Sequence, residues 1–182
     1  ASGDNTGGFQ TGAVHLFTAV NTPGHTNPSS ALFAINPAAD ITVLRSDINM
    51  QLSVGTAVTL QANNDIILNS ASDIIANNPS GNGGNLTLQA GRSVLINSNI
   101  TTDNGNLTIN ANSTVADGVV NAQRDAGAAN LNIAPASVLN AGTGSVNLAI
   151  KDGAGLTNNT AGVLSLNNVI AGQVSYLADN MT

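Results

Sequence analysis

The chain has 182 residues, four Lys and Arg against ten acidic residues, a formal net charge of −6 and no cysteine. So few cations leave no basic surface of the kind that gives nucleic-acid affinity, and no polybasic patch for anionic membranes. The absence of cysteine removes a disulfide framework and thiolate metal sites, and no apolar run reaches the roughly 18 residues of a membrane span.

Asparagine makes up about 15% of the chain and every acidic side chain is Asp, so turn formers are abundant and good helix formers scarce. In chain order, the first strand-like phrase is Gly12-Ala13-Val14-His15-Leu16. A breaker-rich stretch, Asn21 to Ser30, follows and reads as a protruding loop before Ala31-Leu32-Phe33-Ala34-Ile35. Residues 1–40 are the less regular part of a single domain, 1–182, and 41–182 are expected to form regular rungs.

From Thr56 onward one phrase recurs. Thr56-Ala57-Val58-Thr59-Leu60 is followed by Gly84-Asn85-Leu86-Thr87-Leu88 and Gly105-Asn106-Leu107-Thr108-Ile109. Weaker copies are Ala129-Asn130-Leu131-Asn132-Ile133, Gly144-Ser145-Val146-Asn147-Leu148 and Gly162-Val163-Leu164-Ser165-Leu166. Each alternates with the period of a half-buried strand. Second apolar runs lie between them at Asp65-Ile66-Ile67-Leu68, Asp73-Ile74-Ile75, Ser93-Val94-Leu95-Ile96 and Ala136-Ser137-Val138-Leu139. The steps from Leu60 through Leu88, Ile109, Ile133 and Leu148 to Leu166 run 28, 21, 24, 15 and 18 residues, within the range of solenoid repeats. The pattern predicts an all-β chain, a right-handed parallel β-helix of about eight to nine rungs and about 40 Å length at a strand spacing near 4.8 Å. Further excursions are expected at Asn77 to Gly83 and from Ala116 to Gly127. No polar cap follows Tyr176-Leu177, so either more chain or another copy is expected to cover the last rung.

The chemistry-bearing residues are dispersed. Asp40, Asp47, Asp65, Asp73, Asp103, Asp117, Asp125 and Asp152 mostly sit at corners, where Asp bonds its own backbone. Asp65 and Asp73 are placed to approach one another across a rung, and Asp103 and Asp125 across adjacent rungs. His15 and His25 have no metal-ligand spacing. No catalytic residue and no metal site is assigned, no cofactor is expected, and the ligand-binding residues are left open. Gly81-Asn82-Gly83-Gly84-Asn85 lacks the Asp and the repetition of calcium-binding solenoids. The column Thr59, Thr87, Thr108, Asn132, Asn147 and Ser165 is read as cross-rung hydrogen bonding rather than an ice-binding ladder. Six Asn-x-Ser/Thr sequons, at Asn85, Asn99, Asn106, Asn112, Asn158 and Asn180, are candidate glycosylation sites, and Asn85 and Asn106 would have to point outward.

The stretch from Gly84-Asn85-Leu86-Thr87-Leu88 through Ser93-Val94-Leu95-Ile96 to Gly105-Asn106-Leu107-Thr108-Ile109 resembles the repeats of filamentous-haemagglutinin-like exoproteins of two-partner secretion. The resemblance is best over Gly55 to Asn112. It implies a large bacterial adhesin or matrix protein at the cell surface or released from it, exported through an outer-membrane translocator and meeting host or matrix glycans or proteins. The Asn-Pro-Asn motifs of that family's secretion domain are not matched by Asn27-Pro28-Ser29 or Asn36-Pro37-Ala38, so passenger repeat is the expected role. Recognition is expected on the loops Asn21 to Ser30 and Asn77 to Gly83. Two other classes stand beside this one: a subunit that polymerises end to end into an extracellular filament, and a carbohydrate-active β-helix enzyme with clustered outward Asp residues.

Overall fold

A computed structural model describes residues 13–17, 27–35, 38–151, 153 and 161–178. The strands are β1 (Val14–Phe17), β2 (Ile41–Leu44), β3 (Val58–Ala62), β4 (Ile66–Leu68), β5 (Ile74–Ile75), β6 (Leu86–Ala90), β7 (Val94–Ile96) and β8 (Ile100–Thr101). They continue as β9 (Leu107–Ala111), β10 (Ala129–Ile133), β11 (Val138–Asn140), β12 (Ser145–Ile150), β13 (Ala161–Ser165), β14 (Asn168–Ile170) and β15 (Gln173–Ala178). One helix, α1 (Arg45–Ser53), lies between β2 and β3.

The strands form three parallel sheets. The first runs β13-β10-β7-β4-β1-β2, the second β14-β11-β8-β5, and the third β15-β12-β9-β6-β3. From β4 onward the chain visits first, second and third sheet in turn, so each circuit adds one strand to each. Registers place like on like: Val58, Leu86, Leu107, Val146 and Val174 align in the third sheet, as do Leu60, Leu88, Ile109, Leu148 and Tyr176. Their neighbours Thr59, Thr87, Thr108, Asn147 and Ser175 form the alternate column. The members of both columns from β3 to β12 join a continuous aliphatic core with Ile66, Leu68, Ile74, Val94, Ile96, Ile100, Leu131, Ile133 and Leu139, while Val174 and Tyr176 in β15 are exposed. No single circuit buries its apolar side chains alone; the core exists only through stacking.

The repeat behaves differently from the sequence expectation in three respects. The phrases at 129–133 and 162–166 do not belong with 84–88: β10 stacks on β7, and β13 on β10, in the first sheet, where the second apolar runs at 66–68 and 94–96 lie. β1, with its Val14-His15-Leu16, is in that sheet as well. The physical reason is that both kinds of strand alternate identically, so periodicity alone does not tell one face of the stack from another. Within the third sheet the true steps are 28, 21, 39 and 28 residues, because the β9–β12 circuit absorbs the excursion after Asn112. Among the described residues the sheets hold six, four and five strands, against the eight or nine rungs expected.

The second difference is α1, placed where regular rungs were expected. Ile48 and Leu52, four residues apart, are buried on its inner face. Its other contacts follow the same helical spacing. Arg45 Nη1 donates to Asp73 O (3.3 Å), Asn49 Oδ1 accepts from Ile75 N (2.9 Å) and Ser53 Oγ accepts from Asn77 N (2.9 Å). Residues 45, 49 and 53 thus satisfy the alternate backbone groups along the edge of β5 where a strand would otherwise pair.

The third is the order of the first two strands. β1 lies between β2 and β4, so β2, later in sequence, is the edge. The edge of β3 is met by the 3₁₀ turn Pro28–Ser30 and the residues after it: Gln61 N donates to Ala31 O (2.7 Å) and Phe33 N to Gln61 Oε1 (3.4 Å).

Candidate functional site

The segment Asn77 to Gly83 leaves the stack as expected, with Asn77, Pro79, Ser80 and Asn82 exposed. It is nevertheless tied on both sides. Asp103 Oδ2 accepts from Asn78 N (2.6 Å), Asn78 Nδ2 donates to Ser53 O (3.0 Å), and Asn104 Nδ2 donates to Gly81 O (2.8 Å). Internally, Asn78 Oδ1 accepts from Ser80 N (2.9 Å) and Asn78 O from Gly81 N (2.8 Å), so one Asn organises the whole turn. Of the other expected loop, only Asn27 to Ser30 lies within the described residues; there Asn27 Oδ1 accepts from Ser29 N and Ser29 Oγ, both at 3.0 Å.

The excursion from Ala116 to Gly127 folds back against the stack over two 3₁₀ turns, Val115–Asp117 and Asn121–Gln123. Asn63, at the β3–β4 corner, bridges Phe33 O (3.0 Å) and Val120 N (2.8 Å). Its neighbour Asn64 bridges Gln123 O (3.0 Å) and Asp125 N (2.6 Å). Arg92 makes a fork onto Asp65, Nε to Oδ1 at 2.9 Å and Nη2 to Oδ2 at 2.6 Å, and its Nη1 reaches Ala126 O at 3.2 Å. Bidentate pairing of this kind is the strong form of the guanidinium–carboxylate bond. The hydrogen bond to Asp65 raises the Arg92 pKa against the opposing effect of burial. Beside it Arg124 is buried, donating to Ser113 O and to Asn112 Oδ1; burial, with the nearby Arg92 charge, lowers its pKa to about 10. At the far side Lys151 Nζ holds Asp117 Oδ1 at 2.6 Å. Burial alone would raise the Asp117 pKa, but the bonds from Lys151 and from Thr114 N and Oγ1 bring it below the ordinary value.

The carboxylates therefore act as braces. Asp65 and Asp125 converge on Arg92, a pairing that the sequence did not single out, while Asp73 accepts from Asn99 N and Nδ2 and Asp103 from Asn78 N. Among the described residues no group of three His, Cys, Asp or Glu is placed to hold a metal ion. His15 lies in β1 opposite Thr42 and Ile67; His25, Asn36, Pro37 and Asp152 lie outside the described residues.

The outward column of the third sheet is Thr59, Thr87, Thr108, Asn147 and Ser175; Asn132 and Ser165 instead align with Leu95 in the first sheet. Around it a second ladder runs through side-chain amides. Gln61 Nε2 donates to Gln89 Oε1 (2.7 Å), Asn85 Oδ1 accepts from Asn106 N (2.8 Å), and Asn106 Oδ1 accepts from Ser145 N (2.9 Å).

Those contacts sort the sequons. Asn85 and Asn106 are exposed, as a glycan acceptor requires, with only Oδ1 committed to the next layer among the bonds described here. Asn99 is half-buried and uses both ends of its amide, Oδ1 from Val138 N and Nδ2 to Asp73. Asn112 is buried, with φ of +53°, and its Nδ2 donates to Lys151 O at 2.6 Å, which leaves no room for an attached sugar in the folded chain. Asn158 and Asn180 lie outside the described residues. Among the described residues no helix is long and apolar enough to cross a membrane. No family model, no curated protein and no solved structure matches this chain.

Proposed function

We propose that the chain is a segment of a closed, right-handed parallel β-helix in a secreted bacterial surface protein, a rod that holds adhesive or matrix-forming surface away from the cell. Three parallel sheets visited in strict rotation support closure, and the right hand follows from the strong preference of parallel strand–connection–strand units, right-handed in about 98% of cases. The observation that carries the functional reading is the in-register ladder of the third sheet, where five strands repeat the same inward apolar and outward polar positions. Side chains so placed serve the next layer before they serve any ligand, as expected of a structural rod. Asp65, Asp73, Asp103 and Asp117 as braces, each bonded to a backbone amide or a cation, favour a non-catalytic role over a carbohydrate-active enzyme.

Export through an outer-membrane translocator, and attachment to a host or matrix glycan or protein, belong to this reading through the sequence resemblance. Contact would fall on the exposed tip of Asn77 to Gly83, because loops on a rigid scaffold carry recognition. A filament built by stacking copies head to tail is less favoured, since α1 already occupies the edge of β5 that a following copy would need. The reading is tested by measuring retention of the purified chain on glycan arrays and on immobilised matrix glycoproteins, with a variant carrying Gly-Ser in place of Pro79-Ser80. Specific retention that the loop variant loses supports adhesion; retention no greater than for an unrelated β-solenoid removes the adhesive half of the proposal.

A further inference from the structure

We propose that the outward face of the third sheet binds an uncharged polysaccharide, laid along the stack and read by the same three side chains in successive layers. The face centres on β6 and β9, each of which has a paired strand on both sides, and its registers run without a shift from β3 to β12. Asn85, Thr87 and Gln89 alternate outward along β6, and Asn106, Thr108 and Asn110 do so along β9. β3 adds Thr59 and Gln61 at the equivalent positions. Successive layers therefore repeat a triplet of amide, hydroxyl and amide at the strand spacing of about 4.8 Å. Thr59, Asn85 and Asn106 are exposed, and Thr87, Gln89, Thr108 and Asn110 are half-buried by their neighbours on the sheet.

The fold spends only half of this face's hydrogen-bonding capacity. Against the cross-rung bonding expected of the Thr column, the hydroxyls of Thr59, Thr87 and Thr108 have no partner among the described residues. The amides are held by their oxygens: Asn85 Oδ1 accepts from Asn106 N (2.8 Å), Asn106 Oδ1 from Ser145 N (2.9 Å) and Gln89 Oε1 from Gln61 Nε2 (2.7 Å). Nδ2 of Asn85 and Asn106 and Nε2 of Gln89 remain as donors on side chains already fixed, so binding orders little that is not ordered before. The ligand class follows from three features. β3, β6, β9 and β12 contain no charged residue and the chain carries −6, so a polyanion meets repulsion and no cation to pair with. None of these strands turns a large apolar side chain outward, which a protein-docking centre would need. A triplet repeated layer by layer matches a ligand that itself repeats, and sugar hydroxyl and ring oxygens accept from the amide nitrogens while the Thr hydroxyls give or take a bond. With no aromatic ring on the face, each layer contributes little and affinity accumulates over layers. The inference goes beyond the adhesive reading of the tip at 77–83 and uses a different surface, so the two fail separately.

The test is affinity electrophoresis of the whole 182-residue chain in native gels cast with dextran, a linear β-glucan, a mannan or a galactan, and in parallel with alginate as the acidic polymer. The expected result is that at least one neutral polymer slows the chain, that short fragments of the same polymer compete poorly, and that alginate leaves mobility unchanged. Thr59→Val, Thr87→Val and Thr108→Val together, checked for folding by circular dichroism, should weaken the retardation roughly tenfold or more, a few-fold for each hydroxyl. Asn85→Asp with Asn106→Asp keeps the oxygen that takes the next layer's N–H and removes the outward donor, so it should also lose retardation. Each variant is read against its own mobility in a polymer-free gel. The loop variant with Gly-Ser in place of Pro79-Ser80 should be slowed as the parent chain is. Retardation by no neutral polymer, equal retardation by alginate, loss of retardation in the loop variant, or indifference to both face variants would each overturn the proposal. Inhibition of ice recrystallisation without any retardation would overturn it too, and would assign the Thr column to ice.

Discussion

Beside the backbone ladders, asparagine side chains join successive layers with one repeated device. Oδ1 of an Asn accepts a backbone N–H from the following layer: at corners Asn85 from Asn106, Asn99 from Val138, Asn104 from Thr143 and Asn106 from Ser145, and within β10 Asn130 from Val163. Asn104 goes furthest. It tolerates a left-handed backbone, φ +69°, takes Thr143 N at 2.8 Å and gives Nδ2 to Gly81 O at 2.8 Å, tying three levels of the stack together. Asn104→Ala should therefore cost about 2–4 kcal/mol in urea unfolding, the sum of two orphaned partners and a strained backbone. Asn82→Ala, exposed and without a comparable bridge in the described contacts, should cost less than about 0.5 kcal/mol. Glycine is needed where layers touch backbone to backbone. A Cβ on Gly84 would sit inside the van der Waals shell of Thr56 O, and its nearest neighbours are all backbone atoms of Thr56, with no flexible side chain to yield. Gly84→Ala should lie at or above the upper end of the about 1–3 kcal/mol typical of overpacking. Acid provides a separate check at Asp117. Its pKa is lowered from 3.8, so its pairing stabilises the fold above that value and is lost as pH falls through it toward the folded value. The stability difference between the parent chain and Asp117→Asn should hold steady above about pH 5 and shrink below pH 3.8.

Elements show where sequence reasoning succeeded and where it had no purchase. Strands at 58–62, 86–90, 107–111, 138–140 and 145–150 were legible because alternating apolar residues and Asn-Gly corners are local signals. Sheet membership was not, since Leu131 and Ile133 alternate as Leu107 and Ile109 do, and only the partner layer decides which face they join. α1 left a faint trace, Ile48 and Leu52 at a helical step and Arg45, Asn49 and Ser53 at the same step, hidden by a surrounding composition that favours turns. Of the candidate site, the exposed tip at 77–83 and the excursion at 116–127 were foreseeable from Gly, Pro and Asn. The fork of Arg92 on Asp65 was not, because its partners are 27 residues apart and their meeting depends on layer spacing. The role assigned to α1 has a direct readout. Replacing Arg45, Asn49 and Ser53 together by Ala removes the partners of Asp73 O, Ile75 N and Asn77 N, each worth about 0.5–1.5 kcal/mol. Hydrogen exchange at the Ile75 and Asn77 amides should accelerate in that variant while exchange at Leu88 and Ile109 stays slow; equal acceleration everywhere would mean that α1 supports the fold as a whole, not one edge.

The whole molecule is a one-dimensional stack, so its stability is a sum of layer terms and nearest-neighbour contacts. The interior layers are buried above and below, whereas among the described residues the layer of β13, β14 and β15 pairs with one neighbouring layer, and Val174 and Tyr176 are exposed. Opening of that layer removes one interface and exposes little that was covered, so it should cost far less than global unfolding. Native-state hydrogen exchange should then give a gradient: β15 amides fastest, β12 slower, β6 and β9 approaching the global limit. Truncation should follow the same ordering. Leu88→Ala deletes a fully buried contact within the core and should cost about 2–5 kcal/mol, while Val174→Ala should cost well under about 1 kcal/mol. A flat exchange profile would show that the stack unfolds as one unit despite its linear architecture.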